Sequence, residues 1–404
     1  MFKIALLAVA MVAASAGYAQ AQDAVARGKY LAILGDCAGC HTQAATGSPP
    51  YAGGLAFVAA FGTLYSPNIT QDKHTGIGSW TADQFYHTLH AGVGAGGKHL
   101  YPAFPFPYFT HITRADSDAI YAYLRTIKPV RAVPPPNRLI PPFDIRAMMV
   151  FWDAMFFKEG TFANDPSKSA VWNRGNYIVN GFGHCAACHT PKNILFGDET
   201  DKALTGGTQQ GWFSANLNGN RRDGLGKWSA ADIVQYLKTG RNKYAWAAGS
   251  MQEKITSSTS HMHDDDLMAI ATYLKSLPAA PESTPSAPDA SAMQRGRDVF
   301  VANCSACHSE PGAGTPREYP DLAGDTLIVG RDSQTVLRIL LQGAQSAQTP
   351  NAPTTYSMPG FAALRNQDIA DVATYIRNAW GNRAGSVSAK DVKKLREALV
   401  TGKD

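Results

Sequence analysis

All six cysteines of the chain fall into one pattern: Cys37-Ala38-Gly39-Cys40-His41, Cys185-Ala186-Ala187-Cys188-His189 and Cys304-Ser305-Ala306-Cys307-His308. Two thiols two residues apart, followed at once by an imidazole, suit one kind of chemistry. The thiols can add to the two vinyl groups on one edge of a porphyrin, and the next residue then lies under the ring, where His can bind iron. A structural zinc site needs four ligands, and neither a second Cys-x-x-Cys nor a spaced His pair accompanies each motif. A thioredoxin-like redox pair would not carry His after its second Cys three times. The motifs therefore predict three covalently bound haem c groups. Cys37, Cys40, Cys185, Cys188, Cys304 and Cys307 are the attachment points, and His41, His189 and His308 are iron ligands.

The elements that must hold these turns also repeat. Arg27-Gly28-Lys29-Tyr30-Leu31, Arg174-Gly175-Asn176-Tyr177-Ile178 and Arg295-Gly296-Arg297-Asp298-Val299-Phe300 each begin a short helix leading into a haem motif. Each repeat ends in a second helix with apolar residues three or four apart: Ile120, Tyr123, Leu124 and Ile127; Leu267, Ile270, Leu274 and Leu277; Ile369, Val372, Ala373 and Ile376. Thr113 with Asp116 forms a capping pair ahead of the first of these. The predicted fold class is mainly α, three tandem cytochrome c-like domains each clasping one haem between two helices. Domains one and two share a further element, Thr75-Gly76-Ile77-Gly78-Ser79-Trp80 matching Asp223-Gly224-Leu225-Gly226-Lys227-Trp228, which the shorter third domain lacks.

A second axial ligand is expected in a low-spin electron-transfer haem, and Met beside His raises the potential. Met251, read as a Gly-Ser-Met loop before the last helix of its repeat, and Met358 in Ser357-Met358-Pro359-Gly360 stand where a thioether would reach over the ring. Met262 competes with Met251 but lies at a helix entrance. Domain one breaks the pattern, because the matching position is Phe104, which cannot bind iron. His74, His87, His90, His99, His111, Met148 and Met149 are the other donors nearby, and the sixth ligand of that haem stays open.

The chain opens with Lys3 and an apolar run from Ile4 to Ala14, followed by small residues at Gly17–Ala21, the layout of an export signal cleaved after residue 19 or 21. That run is too short to span a bilayer, which takes about 20 residues. Removing Lys3 would lower the formal net charge from +5 to +4, too mild a balance to suggest nucleic acid. The predicted organisation is a signal peptide over 1–19, a first haem domain over 23–130, a Pro-rich and apolar connector over 131–170, a second domain over 171–278, a linker over 279–291, a third domain over 292–382 and a basic amphipathic tail over 383–404. Residues 145–157, rich in Met, Phe and Trp, are read as a helix packed on a neighbouring domain or as a docking surface. The tail, with Val392, Leu395 and Leu399 among lysines, is read as a lipid-surface helix or a solvated terminal helix.

The three haem motifs combine with Ser66-Pro67-Asn68-Ile69-Thr70, Tyr101-Pro102-Ala103, Trp172-Asn173-Arg174-Gly175 and Gly183-His184-Cys185-Ala186-Ala187-Cys188-His189-Thr190-Pro191. With these the mature chain resembles the triple-haem cytochrome c subunits of membrane-bound periplasmic dehydrogenases acting on alcohols, aldehydes, gluconate, sorbitol or fructose. Many members carry Met in the place of Phe104. The resemblance implies an electron-transfer subunit that takes electrons from a catalytic dehydrogenase subunit carrying pyrroloquinoline quinone, flavin or molybdenum. It passes them to ubiquinone on the periplasmic face of the membrane. Two other classes stand beside this reading, a haem peroxidase using an open first haem and a free periplasmic electron shuttle. No Ser-His-Asp arrangement, phosphate loop or dinucleotide fingerprint suggests substrate chemistry.

Overall fold

A computed structural model describes residues 22–280 and 285–401. The expected signal peptide, part of the second linker and the last residues of the tail lie outside them. The chain folds into two compact units. The first takes the chain up to Ala56, Leu64–Asn137 and Pro141–Ala163; the second takes Phe57–Thr63, Arg138–Ile140 and everything from Asn164 on. Among the described residues no helix is long and apolar enough to cross a membrane.

One construction occurs three times. A helix over 22–34 crosses the helix Arg114–Leu124, the helix Ala170–Tyr177 crosses Asp264–Lys275, and Ala290–Asn303 crosses Asn366–Asn378. The Arg-Gly step of each repeat explains the crossing. A Cβ added at Gly28 would sit 1.8 Å from the Ala119 carbonyl oxygen, one at Gly175 2.0 Å from that of Ala269, and one at Gly296 2.1 Å from that of Asp371. Only glycine lets the backbones approach so closely. The preceding arginine then reaches a buried carboxylate on the partner helix. Arg27 Nε donates to Asp116 at 2.8 Å, Arg174 makes two bonds of 2.7 Å to Asp266, and Arg295 Nε donates to Asp371 at 2.7 Å. The Thr113 cap forms, its hydroxyl accepting from the Asp116 N–H at 3.3 Å, while the Asp116 carboxylate serves Arg27.

In the first unit, the Pro-rich stretch after residue 129 runs extended and is tied back to the Ser66–Thr70 loop. Asn68 donates to the Val130 carbonyl at 2.7 Å, and Thr70 accepts from the Val130 N–H at 3.1 Å. The apolar connector forms a helix over Met149–Phe156. Met149 and Trp152 bury against Phe106, while Phe151 and Met155 on the other side are 62% and 59% exposed.

The second unit holds two of the three helix pairs, and the hairpin Gly207–Gln209/Trp212–Ser214 locks onto the helix Gln334–Gln342. The Thr335 hydroxyl accepts from the Phe213 N–H at 2.7 Å and donates to its carbonyl at 3.0 Å. The wholly buried Arg377 donates to the carbonyls of Ile328 and Gly330, and burial pushes its guanidinium down to about 10. The tail forms the helix Ala389–Thr401, whose apolar face is already covered. Val392 and Leu395 are buried in a cluster with Leu337, Ile369 and Val372, so they face protein and present nothing to a lipid surface.

Candidate haem centres

Each Cys-x-x-Cys-His stretch forms a single helical turn, so its thiols project from one short, rigid element. None of the six cysteines is in a disulfide, and burial pushes the Cys185 and Cys304 thiols up to about 11. Such turns set two thiols side by side on one element, the layout that two thioethers to one porphyrin edge require.

The histidines share one hydrogen-bond arrangement. His41 Nδ1 lies 2.8 Å from the Pro67 carbonyl oxygen, His189 Nδ1 2.6 Å from that of Ala215, and His308 Nδ1 3.3 Å from that of Pro320. A carbonyl can only accept, so Nδ1 carries the proton in each case and the Nε2 lone pair is left for a metal. Burial lowers the pKa of all three rings, which keeps them neutral. The acceptors are backbone atoms, and of their loops only Ser66–Thr70, which holds Pro67, stands out in the sequence.

On the other side, each repeat carries a helix ending at a glycine in positive φ, then a short antiparallel pairing. Ala82–Ala91 ends at Gly92, Ala230–Thr239 at Gly240, and Gln334–Gln342 at Gly343. The pairings are Val93 with His99, Arg241 with Trp246, and Ala344 with Met358. Met358 is thus on a strand, packed on the third helix pair's core. Met251 stands not in the expected loop but in the first turn of the helix Gly249–Ser257, packed on the cluster of Ala247, Ile255 and Ala347. Met262 is buried at the start of the last helix.

In the first unit Phe104 sits in the turn before Phe106–Phe109, its ring 5.5 Å edge-on from that of Phe109 and packed toward Phe106 and Trp152. The other donors have their own neighbours. His99 Nδ1 lies 2.6 Å from Asp153 Oδ2, His111 Nδ1 donates to the Gly160 carbonyl at 3.1 Å, and His90 Nε2 is 3.2 Å from Glu159. His74, His87 and Met148 are exposed, and Met149 is buried beside Trp152.

Covalent haem c suits these residues in a further way. In the second repeat Trp228 Nε1, Arg241 Nη1 and Thr256 Oγ1 are buried without a hydrogen-bond partner. Of these, Trp228 Nε1 and Thr256 Oγ1 are neutral donors that the acid groups of a bound porphyrin would satisfy. Sequence reading used Trp228 only as a mark of the repeat and passed over Arg241 and Thr256.

The sequence profile of the cytochrome c family matches residues 25–128 and 293–380. The chain is 38% identical to the cytochrome c subunit of the quinone alcohol dehydrogenase of Gluconobacter oxydans, over 96% of this chain and 86% of that one. It is 39% identical to the gluconate 2-dehydrogenase cytochrome c subunit of Pantoea cypripedii, over 94% and 91%. It is 36% identical to the fructose dehydrogenase cytochrome subunit of Gluconobacter japonicus, over 93% and 83%. With three Cys-x-x-Cys-His turns, imidazoles tied through Nδ1 to backbone carbonyls and this likeness along nearly its whole length, the chain belongs to the cytochrome c family, in the branch of the dehydrogenase cytochrome c subunits, and is an electron-transfer protein with covalently bound haem c.

Proposed function

We propose that the chain carries three haems and relays electrons from a catalytic dehydrogenase subunit to ubiquinone, at the periplasmic face of the membrane. The observation that carries this reading is the threefold recurrence of a Cys-x-x-Cys-His turn whose His Nδ1 is committed to a backbone carbonyl. Bound haem supplies a one-electron iron couple and no bond to substrate. The chain's residues do the rest. The paired cysteines Cys37/Cys40, Cys185/Cys188 and Cys304/Cys307 would fix each ring by thioethers. His41, His189 and His308 would present Nε2 to one axial position, and Met251 and Met358 a thioether to the other in the second and third repeats.

The helix pairs would shield each bound ring from water and so set its dielectric surroundings, a lever on potential alongside the axial ligand. The export signal read from the first residues supports a periplasmic site. The buried apolar face of the tail gives no support to lipid contact through that face. The dehydrogenase names of the relatives support a catalytic partner, whose substrate and cofactor are set on the partner's side.

The test is to tag the chain in its host, extract membranes with mild detergent and identify what co-purifies. A large dehydrogenase subunit whose substrate reduces the haems is the expected result. A solitary, soluble protein would overturn the relay and leave the free shuttle or the peroxidase.

A further inference from the structure

Arg241 occupies a position with no counterpart elsewhere in the chain. The residue after the helix-ending glycine is Val93 in the first repeat, Ala344 in the third and Arg241 in the second. Its guanidinium carbon lies 5.1 Å from the centre of the Trp246 ring and 5.3 Å from that of Tyr356. Those two rings meet edge-on at 6.0 Å. Tyr356 belongs to the third repeat, two residues before Met358, whereas Arg241 belongs to the second, ten residues before Met251. The same junction brings Ala347 of the third repeat into the cluster that holds Met251, and a Cβ on Gly240 would lie 2.5 Å from Ala347. Arg241 is therefore held by one ring from each of the two repeats, at the junction where Ala347 of the third repeat meets the Met251 cluster of the second.

Among the described residues that cation lies on two aromatic faces and pairs with no acidic side chain. Nη1 of Arg241 is buried without a hydrogen-bond partner, and Asp232 of the preceding helix pairs with Lys243 instead, at 3.4 Å. An arginine stays charged in any surroundings. Its charge stands half-buried at the junction of the second and third repeats, where it is screened less than in bulk water. Reduction adds one negative charge to a haem, so a fixed cation shared by two haems favours the reduced form of both.

We propose that Arg241 is a potential-setting residue shared by the second and third haems, which keeps both poised to accept electrons and matched for transfer between them. This rests on the three-haem relay reading. The test uses the full-length holoprotein, its haems counted by the spectrum of the pyridine adduct and its three midpoint potentials resolved by optical redox titration. R241Q keeps a planar polar group and removes the charge. It should lower two of the three potentials together, each by roughly a tenfold change in the reduced-to-oxidised ratio, which is 59 mV for a one-electron couple. R241K keeps the charge and should stay at the wild-type values. Should R241Q lose haem, R241M, which buries no amide, carries the same expectation. Three retained haems with no shift, or a shift in one or in all three, overturn the role of Arg241. A wild-type protein with fewer than three haems overturns the relay reading beneath it.

Discussion

The first and second repeats share a scaffold and differ at two positions that face the haem chemistry. Both cross their helices at an Arg-Gly step, both fix the histidine Nδ1 on a loop carbonyl, and both leave the preceding helix through a positive-φ glycine. In the second repeat that exit carries Arg241 and leads to Met251; in the first it carries Val93 and leads to Phe104. The comparison separates two jobs that a haem domain performs. Holding the ring is done by backbone geometry and is common to both. Choosing its sixth ligand and potential is done by one or two side chains, and these can change without disturbing the rest.

The largest effect comes from removing what the repeats share. Replacing Cys185 and Cys188 together by Ala should lower the haem count from three to two. The same double change at Cys37 and Cys40 should do likewise, as read by haem absorbance per protein. A count unchanged by either pair would end the attachment assignment.

The next effect exchanges what they do not share. Phe104 offers no ligand atom, so cyanide should bind the ferric wild-type protein at the first haem only. F104M should abolish that binding and raise the lowest midpoint potential, while M251F should create a second cyanide site. Spectral titration with cyanide decides it. Binding that survives F104M would show that the ligand position is set elsewhere, and no binding in the wild type would point to one of the histidines around Phe104.

What could be read in advance follows the same division. The helix pairs and the Cys-x-x-Cys-His turns were legible because they rest on side-chain identity and period: apolar residues three or four apart, and Cys and His spacing. The carbonyls of Pro67, Ala215 and Pro320 were not, since any residue supplies a carbonyl. Met251 lies in a helix and not in the expected loop, because Gly249, at φ 56, opens a turn over the Trp212 ring that the sequence does not announce. The tail's lysines and leucines left a lipid-surface helix and a solvated terminal helix both open. Amphipathic spacing reports only that one face is covered, and here Ile369 and Val372 do the covering. Arg241 reads as an ordinary surface arginine until Tyr356, far along the chain, is brought to its face.

A smaller effect probes the shared crossing. A Cβ at Gly175 overlaps the Ala269 carbonyl, so G175A must push the two helices apart, and overpacking of this kind costs about 1–3 kcal/mol. The thermal midpoint of the second unit should fall while its haem count holds. An unchanged midpoint would mean that the helix pair has slack the packing does not show.

The smallest effect concerns two loop acids in opposite surroundings. Asp72 is half-buried, and hydrogen bonds from Thr75 hold its carboxyl below the usual range. Asp325 accepts from the N–H groups of Leu327 and Ile328, yet burial outweighs them and pushes it from 3.8 up to about 7. A raised acid binds more protons folded than unfolded, so its contribution to stability is fullest below the unfolded value and declines as pH rises from 3.8 through about 7. D325N keeps an acceptor for both N–H groups and cannot ionise. Its unfolding midpoint should therefore fall less than the wild type's between these pH values, and D72N should lack that effect. Parallel curves for wild type and D325N would mean that Asp325 is already ionised in the folded protein, and that its two backbone donors outweigh its burial.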